Sequence, residues 1–108
     1  MNLSEPGVRL GVLSEREWQT WVLDVARLAG WTLRYHTFDS RRSGAGFPDL
    51  LLARPRTGEV IAVELKSERG RITADQAAWL AAFEAAGVPA FVWRPSDHDE
   101  VVSALRRR

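Results

Sequence analysis

The chain contains no cysteine, and it has one methionine and one tyrosine among its 108 residues. The absence of cysteine excludes disulfide bonds, thiolate nucleophiles and cysteine-ligated zinc, and it fits a cytoplasmic protein. No apolar run approaches the roughly 20 residues that a membrane-spanning helix needs. No basic segment followed by an apolar one marks a signal peptide at the start of the chain. We therefore expect a protein of the cytoplasm.

The chain has little net charge, with a formal value of +1. This near-neutrality neither favours nor excludes a nucleic-acid partner, because the distribution of charge matters more than its sum. Hydrophobic residues make up 45% of the sequence and charged residues 27%, which is ordinary for a globular domain. The length predicts a single domain over residues 13–108, preceded by a loosely ordered lead-in over residues 1–12.

Lysine is nearly absent, because 14 of the 15 basic residues are arginine and Lys66 is the single lysine. Lys66 ends the apolar run 60–66, two residues after Glu64, so both side chains point to the same side of a predicted strand. Burying these charges is costly unless they are paired or bind something. Asp49 begins the neighbouring apolar run, where its carboxylate could reach the same place. Two carboxylates and a lysine that converge in this way suggest a divalent metal and an anionic substrate.

A second interpretation of Glu64 and Lys66 is an ordinary ion pair on a half-exposed sheet face, where charged and apolar residues alternate. A structural ion pair would accept arginine well, since the guanidinium binds a carboxylate in a fork. A site that needs a compact ammonium would not. The placement of the single lysine therefore favours a functional site.

The apolar periodicity and the turn residues predict the order helix, strand, strand, strand, helix, strand, helix. Ser14 with Glu17, and Thr73 with Gln76, have the spacing of capping boxes that begin the two longer helices. Apolar residues at helical spacing predict the buried faces of these helices: Trp18, Trp21, Val22, Val25, Leu28 and Ala29 in the first, and Ala77, Leu80, Phe83 and Ala86 in the second. The strands are predicted at 31–38, 49–53, 59–66 and 90–93, and the last helix at 101–105.

Several polar residues have two interpretations. Glu15 is in line with the buried helix face and points toward the sheet, but a carboxylate in the first turn is also favoured by the helix dipole. His36 is either a surface histidine or an acid–base group. Arginines flank the two carboxylate strands, and they either contact a phosphate backbone or are simply solvated. These residues, with a neighbouring serine, are Arg41, Arg42, Ser43, Arg69 and Arg71.

Pro48-Asp49 followed by Glu64-Leu65-Lys66 resembles the motif of the PD-(D/E)XK nuclease superfamily. Five segments in order narrow the resemblance, over residues 13–95, to the VRR-NUC domain (virus-type replication–repair nuclease). They are Ser14-Glu15 with Gln19, Gly46-Phe47-Pro48-Asp49, Glu64-Leu65-Lys66-Ser67, Gly70-Arg71-Ile72-Thr73 with Gln76, and Gly87-Val88-Pro89-Ala90.

The resemblance implies an α/β fold with a restriction-endonuclease-like core. Its central four-stranded mixed sheet is flanked by helices in the order α-β-β-β-α-β, with a short helix added at the C-terminus. It also implies that Asp49, Glu64, the backbone carbonyl of Leu65 and Glu15 bind Mg²⁺ or Mn²⁺. Lys66 would position or deprotonate the attacking water. Gln76 would be a further active-site residue, although the capping box accounts for it equally well.

By the same resemblance, the chain is expected to be a metal-dependent DNA endonuclease that leaves 5′-phosphate ends. The expected substrate is branched DNA such as a Holliday junction, cut by a homodimer in DNA repair, with a replication or repair protein as a further partner. Two alternatives remain. One is a non-catalytic nucleic-acid-binding module of the same fold, and the other is a structural domain in which Glu64 and Lys66 form an ordinary ion pair.

Overall fold

The computed structural model describes residues 13–37 and 44–107, so the predicted lead-in over residues 1–12 lies outside the described part. The described elements follow the predicted order of helices and strands. They are α1 (Glu15–Leu28), β1 (Leu33–His36), β2 (Leu50–Arg54), β3 (Glu59–Leu65), α2 (Ala74–Ala85), β4 (Ala90–Trp93) and α3 (His98–Arg106). A single 3₁₀ turn, Pro95–Asp97, joins β4 to α3. Among the described residues, no helix combines the length and the apolar character needed to cross a membrane.

The strands form the predicted four-stranded mixed sheet, and their spatial order in it is β1-β2-β3-β4. The first three strands are antiparallel neighbours, whereas β3 and β4 run parallel and are joined through α2. The end of β3 therefore lies at the same edge of the sheet as the end of β4 and the start of β2. Asp49, which precedes β2, and Lys66 and Arg94, which follow β3 and β4, therefore lie at this one edge.

Helix α1 begins at the predicted capping box, in which the Ser14 hydroxyl accepts a hydrogen bond from the Glu17 backbone N–H. The helix buries Trp18, Trp21, Val22 and Ala26 against one side of the sheet, which we call the α1 face. The prediction that Leu28 is buried is wrong, because its side chain is 71% exposed. The last turn of α1 contacts the core through Ala26. Leu28 is two positions further along, roughly 200° around the helix, and therefore points away from the core.

Strand β1 is shorter than the predicted span 31–38, since it begins at Leu33 and ends at His36. Trp31 precedes the strand and is buried, and its indole N–H donates to the Leu105 carbonyl of α3 over 2.8 Å. Leu33 and Tyr35 are 61% and 56% exposed. The hydrogen bond to α3 holds the indole in the core, and the alternating arrangement of strand side chains begins only at Leu33.

Helix α2 covers the opposite side of the sheet, which we call the α2 face. Its predicted buried stripe is half-formed, since Leu80 and Phe83 are partly covered and no residue of the helix is fully buried. The helix is held by aromatic contacts, with the Phe47 ring 5.0 Å from the Trp79 ring and 6.0 Å from the Phe83 ring. The Trp79 indole N–H donates to the carbonyl of Ala45 over 3.1 Å. The segment that leads into β2 is thereby fixed to α2.

Candidate active site

The three residues of the motif, Asp49, Glu64 and Lys66, come together at the sheet edge where β2 begins and β3 ends. Asp49 is fixed by a 2.8 Å hydrogen bond that its Oδ2 accepts from the backbone N–H of Leu65. The Lys66 ammonium lies 3.7 Å from Glu64 Oε2. The predicted convergence of two carboxylates and a lysine is present in the structure.

Glu64 is the most deeply buried charged group of this cluster, with 2% of its surface exposed. Its Oε2 accepts a 2.9 Å hydrogen bond from the Gln76 side-chain amide and faces Lys66. Its Oε1 is also buried and has no hydrogen-bond partner among the described residues. A buried carboxylate oxygen without a donor is unfavourable, so this atom is suited to bind a group from outside the chain.

The electrostatics of the two carboxylates make this site costly to ionise. Burial, followed by the negative charge of Asp49, raises the pKa of Glu64 to about 7. Burial also raises the pKa of Asp49, and the hydrogen bond from Leu65 opposes this effect. Two neighbouring carboxylates that resist ionisation would be relieved by a bound cation.

The donor set fits Mg²⁺ or Mn²⁺ through the carboxylate pair. Within residues 13–37 and 44–107, no group of three or more histidine, aspartate or glutamate side chains is placed to hold a metal ion. Magnesium does not require such a group, because it is commonly bound by one or two carboxylates together with water and substrate phosphate oxygens. Asp49 and the partnerless Glu64 Oε1 meet that requirement.

Glu15 contacts the loop after Lys66. Its Oε1 lies 3.4 Å from the backbone N–H of Ser67, at the limit of a hydrogen bond. A Cβ on Gly70 would lie 3.4 Å from the same oxygen and 3.3 Å from the Lys66 side chain, so Gly70 keeps this contact open. Glu15 also acts on Asp49 through its charge, which contributes to the raised pKa of Asp49.

Gln76 completes the capping box of α2 and also contacts Glu64. Its Oε1 accepts the backbone N–H of Thr73, and the Thr73 hydroxyl accepts the backbone N–H of Gln76, which completes the capping box of α2. Its amide nitrogen at the same time donates to Glu64. The start of α2 therefore positions one of the carboxylates.

Gly46 sets the distance between α2 and the segment that leads to Asp49. Its φ of +80° lies in the left-handed region, and a Cβ there would lie 2.4 to 2.6 Å from atoms of Asp75 and from the Gln76 backbone nitrogen. Only glycine allows both this conformation and this close approach.

Arg94 braces the loop that follows Lys66, and its role was not predicted. Its guanidinium donates to the carbonyls of Ser67 and Gly70 over 2.9 and 2.5 Å. One signal in the sequence could have found it. Arg94 directly follows β4 as Lys66 follows β3, and residues that follow neighbouring parallel strands meet at one edge of the sheet.

The predicted phosphate-binding arginines are only partly described. Arg69 and Arg71 are exposed on the loop after Lys66. Arg41, Arg42 and Ser43 lie outside the described residues.

A cleft of about 460 Å³ opens on the α1 face beside Asp49. It is lined by residues at the start of α1, at the end of β1 and at the carboxylate edge: Glu15, Arg16, Gln19, His36, Asp49 and Leu65. The structure thus places His36 beside the carboxylates, and it adds Arg16, which the sequence did not single out. Asp49 belongs both to this cleft and to the cluster on the α2 face.

Comparisons with known proteins show the family and the fold. Residues 3–97 match the model of the VRR-NUC domain family. A segment of 52 residues is 44% identical to the Fanconi-associated nuclease 1 homolog of Caenorhabditis elegans, and it spans 48% of this chain and 6% of that protein. A solved structure described as a VRR_NUC domain protein superposes with a TM-score of 0.60 at 19% identity, covering 87% of this chain and 86% of that one.

Proposed function

The chain belongs to the VRR-NUC family of nuclease domains, and from this premise we propose that it is a Mg²⁺- or Mn²⁺-dependent DNA endonuclease. It hydrolyses phosphodiester bonds and leaves 5′-phosphate and 3′-hydroxyl ends. The observation that carries the proposal is the buried carboxylate Glu64, with one partnerless oxygen, beside Asp49 and the chain's single lysine.

The proposed metal ligands are Asp49, Glu64 and the backbone carbonyl of Leu65, with Glu15 supporting the site. When bound, a divalent ion supplies Lewis-acid chemistry, activating water and stabilising negative charge on the phosphate. Lys66 lies against the carboxylate pair, where its ammonium can position the attacking water and a phosphate oxygen. Gln76 holds Glu64 in place through its amide.

A cleavage assay tests the proposal. Plasmid, single-stranded, duplex, flap and four-way-junction DNA are incubated with the protein in Mg²⁺, in Mn²⁺ or in EDTA. We expect cutting in either metal, none in EDTA, and products that ligate without prior phosphorylation. Asp49→Asn, Glu64→Gln and Lys66→Ala should each abolish cutting, whereas Asp99→Asn, an exposed change on α3, should not.

The outcomes separate the alternatives. Metal-dependent cutting that survives Asp49→Asn or Glu64→Gln would contradict the assigned site. DNA binding without cutting of any substrate would identify a non-catalytic binding module. If neither binding nor cutting occurs, and Lys66→Arg is tolerated in folding, Glu64 and Lys66 are an ordinary ion pair.

We also propose that the domain acts as a homodimer on branched DNA, because a two-fold pair of sites suits a two-fold junction. The support is an apolar area on the α2 face, formed where α2 leaves β1 and β2 uncovered. Leu33, Tyr35 and Val60 are 61%, 56% and 44% exposed there. Isolated exposed apolar residues are normal, but neighbours on one sheet face mark an association surface.

Light scattering after size-exclusion chromatography tests the dimer. The double change Leu33→Asp with Tyr35→Asp should convert a dimer to a monomer and reduce junction cutting more than duplex cutting. Leu28→Asp, at a side chain that is 71% exposed on α1, is the matched control and should leave the mass unchanged. A wild-type protein that is monomeric at tens of micromolar would contradict this part of the proposal. It would also be contradicted if a monomeric variant cut junctions as soon as a replication or repair protein was added.

A further inference from the structure

The cleft on the α1 face contains a positively charged group and a hydrogen-bond donor that have no role in the proposed reaction. Arg16 and His36 line it together with the carboxylates of Glu15 and Asp49. Within residues 13–37 and 44–107, neither Arg16 nor His36 uses its side chain in a hydrogen bond or an ion pair. Both residues are exposed.

Both residues are held on fixed elements. Arg16 lies in the first turn of α1, which the Ser14 capping box anchors. His36 ends β1 and pairs with Leu50 in the sheet register. The next residue, Thr37, donates its backbone N–H to the Asp49 carbonyl over 2.8 Å and its hydroxyl to the Pro48 carbonyl over 2.7 Å. The end of β1 is therefore tied directly to the segment that carries Asp49.

The cleft and the lysine lie on different sides of Asp49. The strand order places His36 on β1 and Asp49 at the start of β2, with Glu64 and Lys66 beyond them on and after β3. Glu64 faces α2, through Gln76, whereas the cleft is bounded by α1. A DNA strand with its scissile phosphate at Asp49 and Glu64 would continue into this cleft.

The chemistry of the cleft selects a phosphate group. Glu15 and Asp49 repel an anion, so a second phosphate can enter only where donors offset them. A guanidinium binds phosphate through two parallel hydrogen bonds, and an imidazole N–H adds a third donor. We propose that Arg16 and His36 form a subsite for the backbone phosphate next to the scissile one. This inference rests on the proposed nuclease function, which places the scissile phosphate at Asp49 and Glu64.

The first test is DNA binding in EDTA, where no cutting is expected, measured by fluorescence anisotropy over a range of salt concentrations. Arg16→Ala with His36→Ala should weaken binding about tenfold and reduce the salt slope by about one, as expected for one lost phosphate contact. Arg27→Ala with His98→Ala, on α1 and α3 away from the cleft, should change neither. His36→Gln, which keeps a donor, should restore part of the loss. Thermal unfolding confirms that each variant is folded.

The second test places the contact. A four-way junction that carries a single uncharged methylphosphonate is used, and the position of the methylphosphonate is scanned around the mapped cut position. When the methylphosphonate replaces one phosphate adjacent to the cut, the double variant should bind as tightly as the wild type, because the uncharged group has already removed the phosphate contact in both. In cleavage, the double variant should raise KM with little change in kcat.

The outcomes keep this proposal separate from nuclease activity itself. An unchanged salt slope in an enzyme that cuts DNA overturns the subsite alone. A reduced slope in a protein that binds DNA without cutting supports the subsite and rejects the nuclease. A lower kcat with unchanged KM and binding overturns the subsite in favour of a direct role in catalysis.

Discussion

The two faces of the sheet differ in what they bury. On the α1 face, apolar side chains of the sheet pack against α1 and α3, and they include Leu50, Leu52, Ile61, Val63 and Leu65. On the α2 face, β3 buries Ala62 and the carboxylate of Glu64. The helix above it, α2, has no fully buried residue. The same strands thus build a largely apolar core on one side, with Arg54 buried at its end against Trp31 and Leu105, and a polar site on the other.

This difference places the main source of folding stability on one face of the sheet and the proposed chemistry on the other. Burial of apolar surface is the main stabilising contribution to folding, and most of it lies on the α1 face. Glu64 adds an unfavourable contribution, since a buried carboxylate with a partnerless oxygen opposes folding. The stable face allows the other face to hold this group in place, and the following predictions test that division.

The largest effect is expected from equal tryptophan deletions on the two faces. Trp18 is fully buried and donates its indole N–H to the Trp93 carbonyl, whereas Trp79 is 38% exposed on α2. Trp18→Ala should lower the free energy of unfolding by about 3–5 kcal/mol. Trp79→Ala should cost less than half as much, but it should reduce cleavage, because it releases Ala45 and Phe47. Urea unfolding monitored by circular dichroism measures the two losses of stability. Equal losses of stability would show that the α2 face is as important to the fold as the α1 face.

A smaller effect is expected at Gly46, where α2 and the carboxylate segment meet. Gly46→Ala adds a Cβ within 2.4 to 2.6 Å of the α2 backbone as well as a strained φ. We expect a loss of about 2–4 kcal/mol from strain and overpacking together, with loss of activity. Gly87→Ala is the matched control, because its φ is +85° but nothing lies within 4 Å of the added Cβ. It should cost about 1 kcal/mol and leave cleavage intact, and an equal cost at both positions would refute the role of close contact.

The sequence predicted the elements well because their signals are local. Both capping boxes and the order of strands and helices are present as predicted. The motif residues Asp49, Glu64 and Lys66 could be placed together because two neighbouring strands bring them to one edge. Features that depend on distant parts of the chain were missed or wrong. The burial of Trp31 depends on a carbonyl of α3, and the role of Arg94 depends on the parallel pairing of β3 with β4.

The next prediction concerns the unfavourable ionisation of Glu64. Its pKa rises from an ordinary 4.5 to about 7 in the folded protein, so the folded state holds this proton more tightly than the unfolded state. The resulting stability is complete below pH 4.5 and is lost as the pH rises through 7. At pH 8, metal-free Glu64→Gln should therefore be more stable than the wild type by on the order of 2–3 kcal/mol, and the difference should vanish near pH 4.

Urea unfolding of the metal-free protein between pH 4 and pH 8 measures this difference. Glu100→Gln, an exposed change on α3, is the control. Parallel curves for the wild type and Glu64→Gln would contradict the idea that this carboxylate destabilises the fold. Because metal ligands must lose their protons, Mn²⁺ affinity measured by calorimetry should also increase from pH 6 to pH 8 in the wild type, and not in Glu64→Gln.

The smallest effect on stability is expected at the start of α2, where Gln76 both caps the helix and contacts Glu64 of the proposed site. Gln76→Ala and Thr73→Ala each break the capping box and should each cost about 1 kcal/mol. Only Gln76→Ala also removes the 2.9 Å hydrogen bond to Glu64. Cleavage measured on the two variants, each at a temperature where it is fully folded, should therefore fall at least tenfold in Gln76→Ala and little in Thr73→Ala. If both lose activity equally, the α2 face positions Glu64 through the intact helix terminus and not through the glutamine amide.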